Sequence, residues 1–144
     1  MRKYSCIPAG SEFWRLFDIN DGIPWINQQT TEAFIPQYIN LDRFGAINFN
    51  KGCYTGQEIV SGTHYLGNVK SRLYRAECKS DERPESGAKL FGDVSETDQS
   101  IGNVVNVIKD DDRYKMLVVL KENFMPSKKF RMNSPTKAIV TLID

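Results

Sequence analysis

The second half of the chain is a succession of short, β-rich segments, and this pattern restricts the fold more than any other feature of the sequence. After Gly67, runs rich in valine, isoleucine and alternating apolar residues are separated by polar turns. The predicted strands are residues 69–78, 88–91, 101–108, 114–120 and 137–143. Asp110, Asp111 and Asp112 lie between two of them and are expected at a solvated hairpin tip. Several short strands at this spacing favour a small antiparallel β-barrel.

Near the start of the chain, residues 10–21 have the spacing of an amphipathic helix. Ser11 is the predicted N-cap and Gly22 the predicted stop. The side chains expected on the core-facing stripe are Phe13, Leu16, Phe17 and Asn20. Trp14 lies beside this stripe, where an indole is either a partly exposed flank of the core or a platform for a flat ligand.

The rest of the first half has little regular structure. Residues 25–50 are poorly periodic, with a short strand predicted at 46–50, and a second helix is predicted to end at about Ser61. So small an amount of regular structure would bury too little apolar surface for a domain to fold alone. We therefore predict an α+β chain with a boundary near residue 66, in which residues 1–66 are an incomplete α/β domain and residues 67–144 form the barrel.

Composition and cysteine usage exclude several classes of protein. Hydrophobic residues make up 40%, charged residues 26%, and the net charge is +1, which gives no overall electrostatic affinity for nucleic acid. No apolar run reaches the length of a membrane span or of a signal-peptide core, so we expect a cytoplasmic protein that has no contact with membranes. Cys6, Cys53 and Cys78 are widely spaced and the chain has one histidine, so we expect no disulfide framework and no permanently bound metal.

An eight-residue segment carries the strongest chemical signal. It consists of Lys51, Gly52, Cys53, Tyr54, Thr55, Gly56, Gln57 and Glu58. Thr55 and Glu58 have the spacing of a capping box, which predicts a helix start just after Cys53. A helix N-terminus and the ammonium group of Lys51 both favour thiolate over thiol, and a thiolate is nucleophilic. The alternative is that Cys53 is an inert, buried cysteine and that the two glycines are ordinary turn residues.

This segment closely resembles the signature of the YgfZ family of folate-binding proteins, which are relatives of the glycine-cleavage T-protein. The resemblance extends over most of the chain. It is also carried by Gly22-Ile23-Pro24, Phe34-Ile35-Pro36-Gln37, Asn40-Leu41, Gly67, Lys70, Arg72, Val118-Val119, Met125-Pro126 and Phe130-Arg131. Members of the family are longer, and have a ferredoxin-like folate-binding portion followed by a barrel. The resemblance therefore implies that residues 1–66 are the C-terminal part of the folate-binding domain and residues 67–144 the C-terminal barrel.

The resemblance also implies roles for individual residues. Trp14 falls where family members place a folate-stacking tryptophan, so tetrahydrofolate or a one-carbon derivative is the expected cofactor. Cys53 would be the reactive thiol, assisted by Lys51. His64 matches a His-Tyr pair common after the motif, and is either a proton acceptor for the cysteine or a residue that packs at the helix end. Gly62 departs from the family, because many members have an arginine there that could contact an anion.

The residues and the resemblance together leave three candidate functions. The first is a folate-binding accessory protein that supports iron–sulfur cluster assembly or repair and thereby tRNA modification. Its partners would be iron–sulfur enzymes or assembly proteins, together with the N-terminal half of the family fold. The second is a tetrahydrofolate-dependent aminomethyltransferase of the glycine-cleavage type, although T-proteins generally lack the motif cysteine.

The third is a non-catalytic interaction module. Direct tRNA binding is a weaker variant of it, because charged strand faces are usually just solvated. The two basic groups that would serve it are Lys70, Arg72 and Arg75, and Lys128, Lys129 and Arg131.

Overall fold

The fold consists of two α-helices followed by a closed antiparallel barrel. The computed structural model describes residues 8–65, 67, 69–92, 99–125, 128–133 and 138–143. The helices are α1 (Ser11–Asp21) and α2 (Gln57–Tyr65), with short 3-10 turns at Gln28–Thr30 and Glu122–Phe124. The strands are β1 (Ser71–Cys78), β2 (Lys89–Gly92), β3 (Gly102–Asp110), β4 (Arg113–Lys121), β5 (Lys129–Met132) and β6 (Ile139–Ile143). The prediction of an α+β chain with a small barrel is confirmed.

Some sequence predictions fall on positions outside these described ranges. They concern Cys6, residue 66 at the predicted domain boundary, Pro126, and Lys137 at the start of the last predicted strand. The division of the chain at residue 66 stays a prediction.

The barrel closes in the strand order β1-β4-β3-β2-β5-β6, with β6 returning to β1. The strand β4 is central to it, because it pairs with β1 on one side and β3 on the other over almost its whole length. Successive side chains of a strand point to opposite faces, so a strand that is apolar throughout can serve two apolar layers. In β4, Met116 and Val118 belong to the barrel interior, whereas Leu117 and Val119 belong to a second layer outside it.

The outer layer joins the first half of the chain to the barrel. Its buried members are Ile19, Ile39, Leu73, Val105, Ile108, Leu117 and Val119. Leu16 of α1 and Phe34, Tyr38 and Leu41 of the irregular segment pack against them. Val104 and Val105 lie in different layers, and the β3–β4 register shifts between Val104 and Asn106, which leaves Val105 as the extra residue of a β-bulge. Because of this extra residue, Ile108 rather than Val107 joins Val105 in the outer layer. The α1 helix is therefore held against the outer face of β3 and β4.

The two ends of α1 differ in how well the sequence predicts them. Gly22 ends the helix in the left-handed region with φ 73°, and the N–H groups of Gly22 and Ile23 donate to the carbonyls of Ile19 and Asp18. This is a Schellman motif, so the predicted stop is confirmed. The predicted N-cap is wrong. Ser11 is the first helical residue. The N-cap position is occupied by Gly10, whose backbone is extended and which makes no side-chain hydrogen bond to the helix.

The apolar stripe predicted for α1 is only partly the buried one. Leu16 and Ile19 face the barrel, whereas Phe13 is 54% and Phe17 50% exposed. The two phenylalanine rings contact each other edge to face with centroids 4.9 Å apart. The helix thus has two adjacent apolar faces, and the barrel covers one of them. Periodicity alone does not distinguish which face meets the core.

Three other elements differ from the predictions made from periodicity. Residues 46–50 form no strand, because five residues of alternation are too few to indicate one. The Asn50 N–H instead donates to Asn48 Oδ1 over 2.9 Å in a local turn. The second helix continues past Ser61 to Tyr65. The strand β5 was not predicted, because its four residues contain two charged side chains. Within the described ranges, no helix has the length and apolar character needed to cross a membrane.

Close packing of β3 on β4 makes Gly102 sensitive to substitution. A Cβ at this position would lie 2.6 Å from Leu120 Cδ2 and closer still to the Val119 carbonyl oxygen, and backbone cannot move aside easily. We expect Gly102→Ala to lower the free energy of unfolding by about 1–3 kcal/mol, measured by urea denaturation.

Gly62→Ala in α2 is the matched control. A Cβ there meets nothing within 4 Å, so alanine should stabilise the protein by about 0.5–1 kcal/mol through its higher helix propensity. Equal effects of the two substitutions would contradict the packing that the structure assigns to Gly102.

Candidate functional site

The motif forms an exposed loop that leads into α2. All side chains from Lys51 to Gly56 are exposed, and the helix begins at Gln57. Cys53 therefore lies four residues before the first helical residue, whereas the predicted capping box at Thr55 implied three. An exposed thiol on a loop is accessible to a reagent, a metal centre or another protein. The reading of Cys53 as a buried cysteine is therefore wrong, and its reactivity stays a prediction.

A reciprocal pair of hydrogen bonds shapes the turn between Cys53 and the helix. The Tyr54 N–H donates to Gln57 Oε1 over 3.2 Å, and the Gln57 N–H donates to the Tyr54 carbonyl over 3.1 Å. Gly56 completes the turn with φ 87°, a backbone conformation that favours glycine. This pair takes the place of the predicted Thr55–Glu58 capping box. Glu58 still lies in the first turn of α2, where a carboxylate is favoured by the helix dipole.

A chain of polar contacts connects α2 to the barrel. Gln37 is 1% exposed, and its Nε2 donates to the Val60 carbonyl of α2 over 2.6 Å. Arg72 of β1 donates through Nη1 to the Gln37 carbonyl over 3.0 Å and forms an ion pair with Asp42 at 2.8 Å. Among the described residues, Gln37 Oε1 is buried without a hydrogen-bond partner. Gln37 thus links α2 to the barrel through Arg72.

His64 packs against the chain just before the motif. Its ring stacks on Phe49 with centroids 3.9 Å apart and planes 18° apart, and Tyr65 contacts it edge to face. Within the described residues, no hydrogen bond joins His64 to Cys53. The contacts that are present correspond to the packing role considered for this histidine. They also hold residue 49 close to the end of α2.

The motif does not form a metal site by itself. In the part of the chain that the structure describes, no group of three or more His, Cys, Asp or Glu side chains is arranged to hold a metal ion. Lys51 and Cys53 are both exposed, and a Cβ at the intervening Gly52 would meet nothing within 4 Å. Space therefore remains around the thiol on this side of the loop.

A separate cleft contains Trp14. It has a volume of about 640 Å³, is open on one side, and lies between α1, the segment that follows it, and β3. Its lining residues are Ser11, Trp14, Arg15, Asp18, Ile19, Trp25, Ile26, Asn27, Arg83, Ser86, Asn106 and Val107. Trp14 is 69% exposed, so its indole is largely available to a ligand. None of residues 51–58 lines this cleft, so the structure places Trp14 and the cysteine motif at different sites.

Trp25 is a cleft residue that sequence reasoning missed. Its Nε1–H donates to Asp18 Oδ2 over 2.8 Å, and its backbone exchanges two hydrogen bonds with the Asn106 side chain, at 2.8 and 2.7 Å. The indole is nevertheless 58% exposed. The available signal was Asn106 itself, a polar residue between Val105 and Val107 of β3. A side chain fixed in this way presents a rigid aromatic wall to the cleft.

The second described cysteine is a natural reference for Cys53. Cys78 lies in the barrel interior and is buried. Burial, and secondarily the charge of Glu77, raises the pKa of the Cys78 thiol from 9.0 to about 11. A raised pKa leaves the thiol protonated over the physiological range, and a protonated thiol does not react as a nucleophile.

We expect iodoacetamide at pH 8 to alkylate Cys53 well before Cys78, as followed by peptide mass spectrometry in a Cys6→Ser background. At a pKa of about 11, only about one Cys78 thiol in a thousand is ionised at pH 8, and the barrel also shields it. Alkylation of Cys78 should accelerate as the pH rises towards 11. Equal rates at pH 8 in the folded protein would contradict the assigned exposure.

Comparison with curated proteins finds relatives that share most of this chain. The tRNA-modifying protein YgfZ of Hamiltonella defensa subsp. Acyrthosiphon pisum (strain 5AT) is 40% identical over 102 residues, which are 71% of this chain and 30% of the relative. The tRNA-modifying protein YgfZ of Escherichia coli O45:K1 (strain S88 / ExPEC) is 32% identical over 130 residues, 90% of this chain and 40% of the relative. No family model matches the chain. The chain thus spans between 30% and 40% of the length of these two relatives.

Proposed function

The chain belongs to the YgfZ family, and from that premise we propose that it supports tRNA modification as a folate-binding accessory protein for iron–sulfur cluster assembly or repair. The observation that carries the proposal is the exposed Cys53 on the hydrogen-bonded motif loop. A cysteine kept for packing would be buried, as Cys78 is. An exposed cysteine on a loop with a defined conformation suits chemistry with an external partner.

In this proposal Cys53 acts as a transient ligand for iron. A thiol loses its proton when it binds a metal, so a nearby positive charge stabilises the form that binds. Lys51 and the N-terminus of α2 supply that charge. The Tyr54–Gln57 pair holds the loop so that the thiolate is presented outward. The other ligands of the iron come from the partner, which is an iron–sulfur enzyme or an assembly protein.

The cleft at Trp14 is the proposed site for tetrahydrofolate or a one-carbon derivative. Its volume falls within the usual range for small-molecule sites. Trp14 offers an aromatic face for the ring system of a folate. Arg15 and Arg83 line the same cleft and supply positive charge for the carboxylates of the glutamate tail.

The proposal includes one further partner. It is the part of the family fold that the relatives contain and that this chain does not match. The α1 helix exposes Phe13 and Phe17 side by side, and α2 exposes Ile59 and Tyr65. Exposed apolar side chains in contact with each other, as Phe13 and Phe17 are, mark a surface that packs against protein. We assign the exposed faces of the two helices to the N-terminal half of the family fold.

The aminomethyltransferase alternative uses the same folate cleft but has no role for Cys53. The two functions can therefore be separated at this residue. Co-expression of the chain with the portion of the Escherichia coli relative that it does not cover, in a strain without its own YgfZ, provides the assay, with thiolated tRNA as the readout.

We expect Cys53→Ala to reduce thiolated tRNA to the level of the empty strain, because alanine cannot ligate iron. Cys6→Ser is the matched control and should retain full modification. Wild-type levels with Cys53→Ala would show that the thiol mechanism is wrong. Methylene transfer to tetrahydrofolate that is unaffected by Cys53→Ala would favour the transferase.

The role of Trp14 has its own test. We expect Trp14→Ala to weaken tetrahydrofolate binding about tenfold, or ~1.4 kcal/mol, in isothermal titration calorimetry, because the ring loses its stacking partner. Phe13→Ala is the control, since Phe13 is an exposed aromatic residue of the same helix that does not line the cleft. Equal losses in the two variants would argue against stacking on Trp14.

A further inference from the structure

A second cavity lies at the C-terminal end of α1, away from the residues assigned to folate. It has a volume of about 640 Å³, is open to solvent, and lies between the end of α1, the irregular segment and strands β1, β4 and β6. None of the described residues that line it also lines the cleft at Trp14. Its volume falls within the usual range for small-molecule sites. The proposed function makes no use of this cavity.

Two guanidinium groups at this cavity have no carboxylate partner. Arg75 of β1 is half-buried, and its Nη1 donates to the Asn20 carbonyl over 2.8 Å. Arg43 lines the same cavity and is exposed. Among the described residues neither arginine forms an ion pair, whereas Arg72, earlier in the same strand, is paired with Asp42 at 2.8 Å. Arginines that are partly removed from water are usually paired, so Arg43 and Arg75 are suited to an anion from outside the chain.

The cavity also contains a carboxylate in an electrostatically unfavourable position. Asp21 lines the cavity and is the last residue of α1, and the last turn of this helix has no basic residue. Negative charge is disfavoured at the C-terminus of a helix, where the dipole is itself negative. Within the described ranges, Asp21 forms no ion pair. A bound cation would relieve this repulsion, so the cavity suits positive charge as well as negative charge.

The remaining walls of the cavity are largely apolar. Leu73 and Leu117 are buried there, and Leu142 and Met125 are half-buried. Phe44 lines the same cavity and is 52% exposed, so its ring is available for contact. A ligand that fills this space therefore needs a large apolar group in addition to its two charges.

We propose that this cavity binds a zwitterionic amino acid with a large apolar side chain. Arg43 and Arg75 receive its carboxylate, Asp21 receives its ammonium group, and the apolar walls receive its side chain. A plain anion such as a nucleotide would leave Asp21 facing further negative charge, which is why the zwitterion is the better match. This inference goes beyond the proposed function and does not depend on folate binding.

The test uses isothermal titration calorimetry of the full chain with three compounds. L-phenylalanine carries both charges, L-phenylalaninamide lacks the carboxylate, and N-acetyl-L-phenylalanine lacks the ammonium group. The wild-type protein should bind L-phenylalanine about tenfold or more tightly than either derivative, because each derivative loses one charged contact.

Two variants assign the two charges to their residues. Arg43→Gln should lower the preference over the amide by about fivefold, since Arg75 remains, and should keep the preference over the N-acetyl compound. Asp21→Asn should do the reverse. Both residues are exposed, so the fold should tolerate these changes. The matched controls are Glu12→Gln on the same helix and Lys109→Gln in β3, two exposed charged residues outside this cavity, and they should keep both preferences.

Three results would overturn the inference. The first is that the wild-type protein does not bind L-phenylalanine, and the second is that it binds all three compounds equally. The third is that Arg43→Gln or Asp21→Asn lowers both preferences to the same extent, because the two charges would then not be recognised separately.

Discussion

The burial of β4 on both of its faces is the constraint on which the rest of the structure depends. One set of side chains, with Met116 and Val118 among them, fills the barrel, and the alternate set packs under α1 and the irregular segment. If β4 faced solvent on its outer side, Leu117 and Val119 would be exposed and α1 would lose part of the surface on which it packs, the rest being Val105 and Ile108 of β3. The attachment of the first half of the chain therefore depends on a strand whose buried positions are apolar on both faces.

The sequence was sufficient to predict the barrel, and for a clear reason. The strands β3 and β4 contain runs of valine, isoleucine, leucine and methionine, and the aspartates between them mark the hairpin. The first half was harder, because the aromatic residues of α1 occupy two neighbouring faces. Choosing Ile19 over Phe13 and Phe17 as a core residue required knowledge of the surface that the helix meets. Ser11 was misplaced by one residue, which is the usual uncertainty at helix ends.

The candidate site, too, could be predicted from the sequence only in part. The motif around Cys53 could be found from the sequence because its residues are contiguous, although its internal hydrogen bonds run between Tyr54 and Gln57 rather than between Thr55 and Glu58. The cleft could not be found in full, because Trp25 and Asn106 are far apart in the chain and meet only in the fold. Long-range pairing of this kind leaves no local pattern. Trp14 was identified by resemblance, and its polar surroundings came from the fold.

The attachment of α2 has a consequence for how the motif moves. The described contacts that hold this helix to the rest of the protein are few: the buried Val60, the hydrogen bond from Gln37, and the His64–Phe49 stack. Segments with few buried contacts open at a lower free-energy cost than the core to which they are attached. The motif is therefore expected to open at a lower free-energy cost than the barrel. In the proposed function, such an opening would let the Cys53 thiol approach its partner while the barrel stays folded.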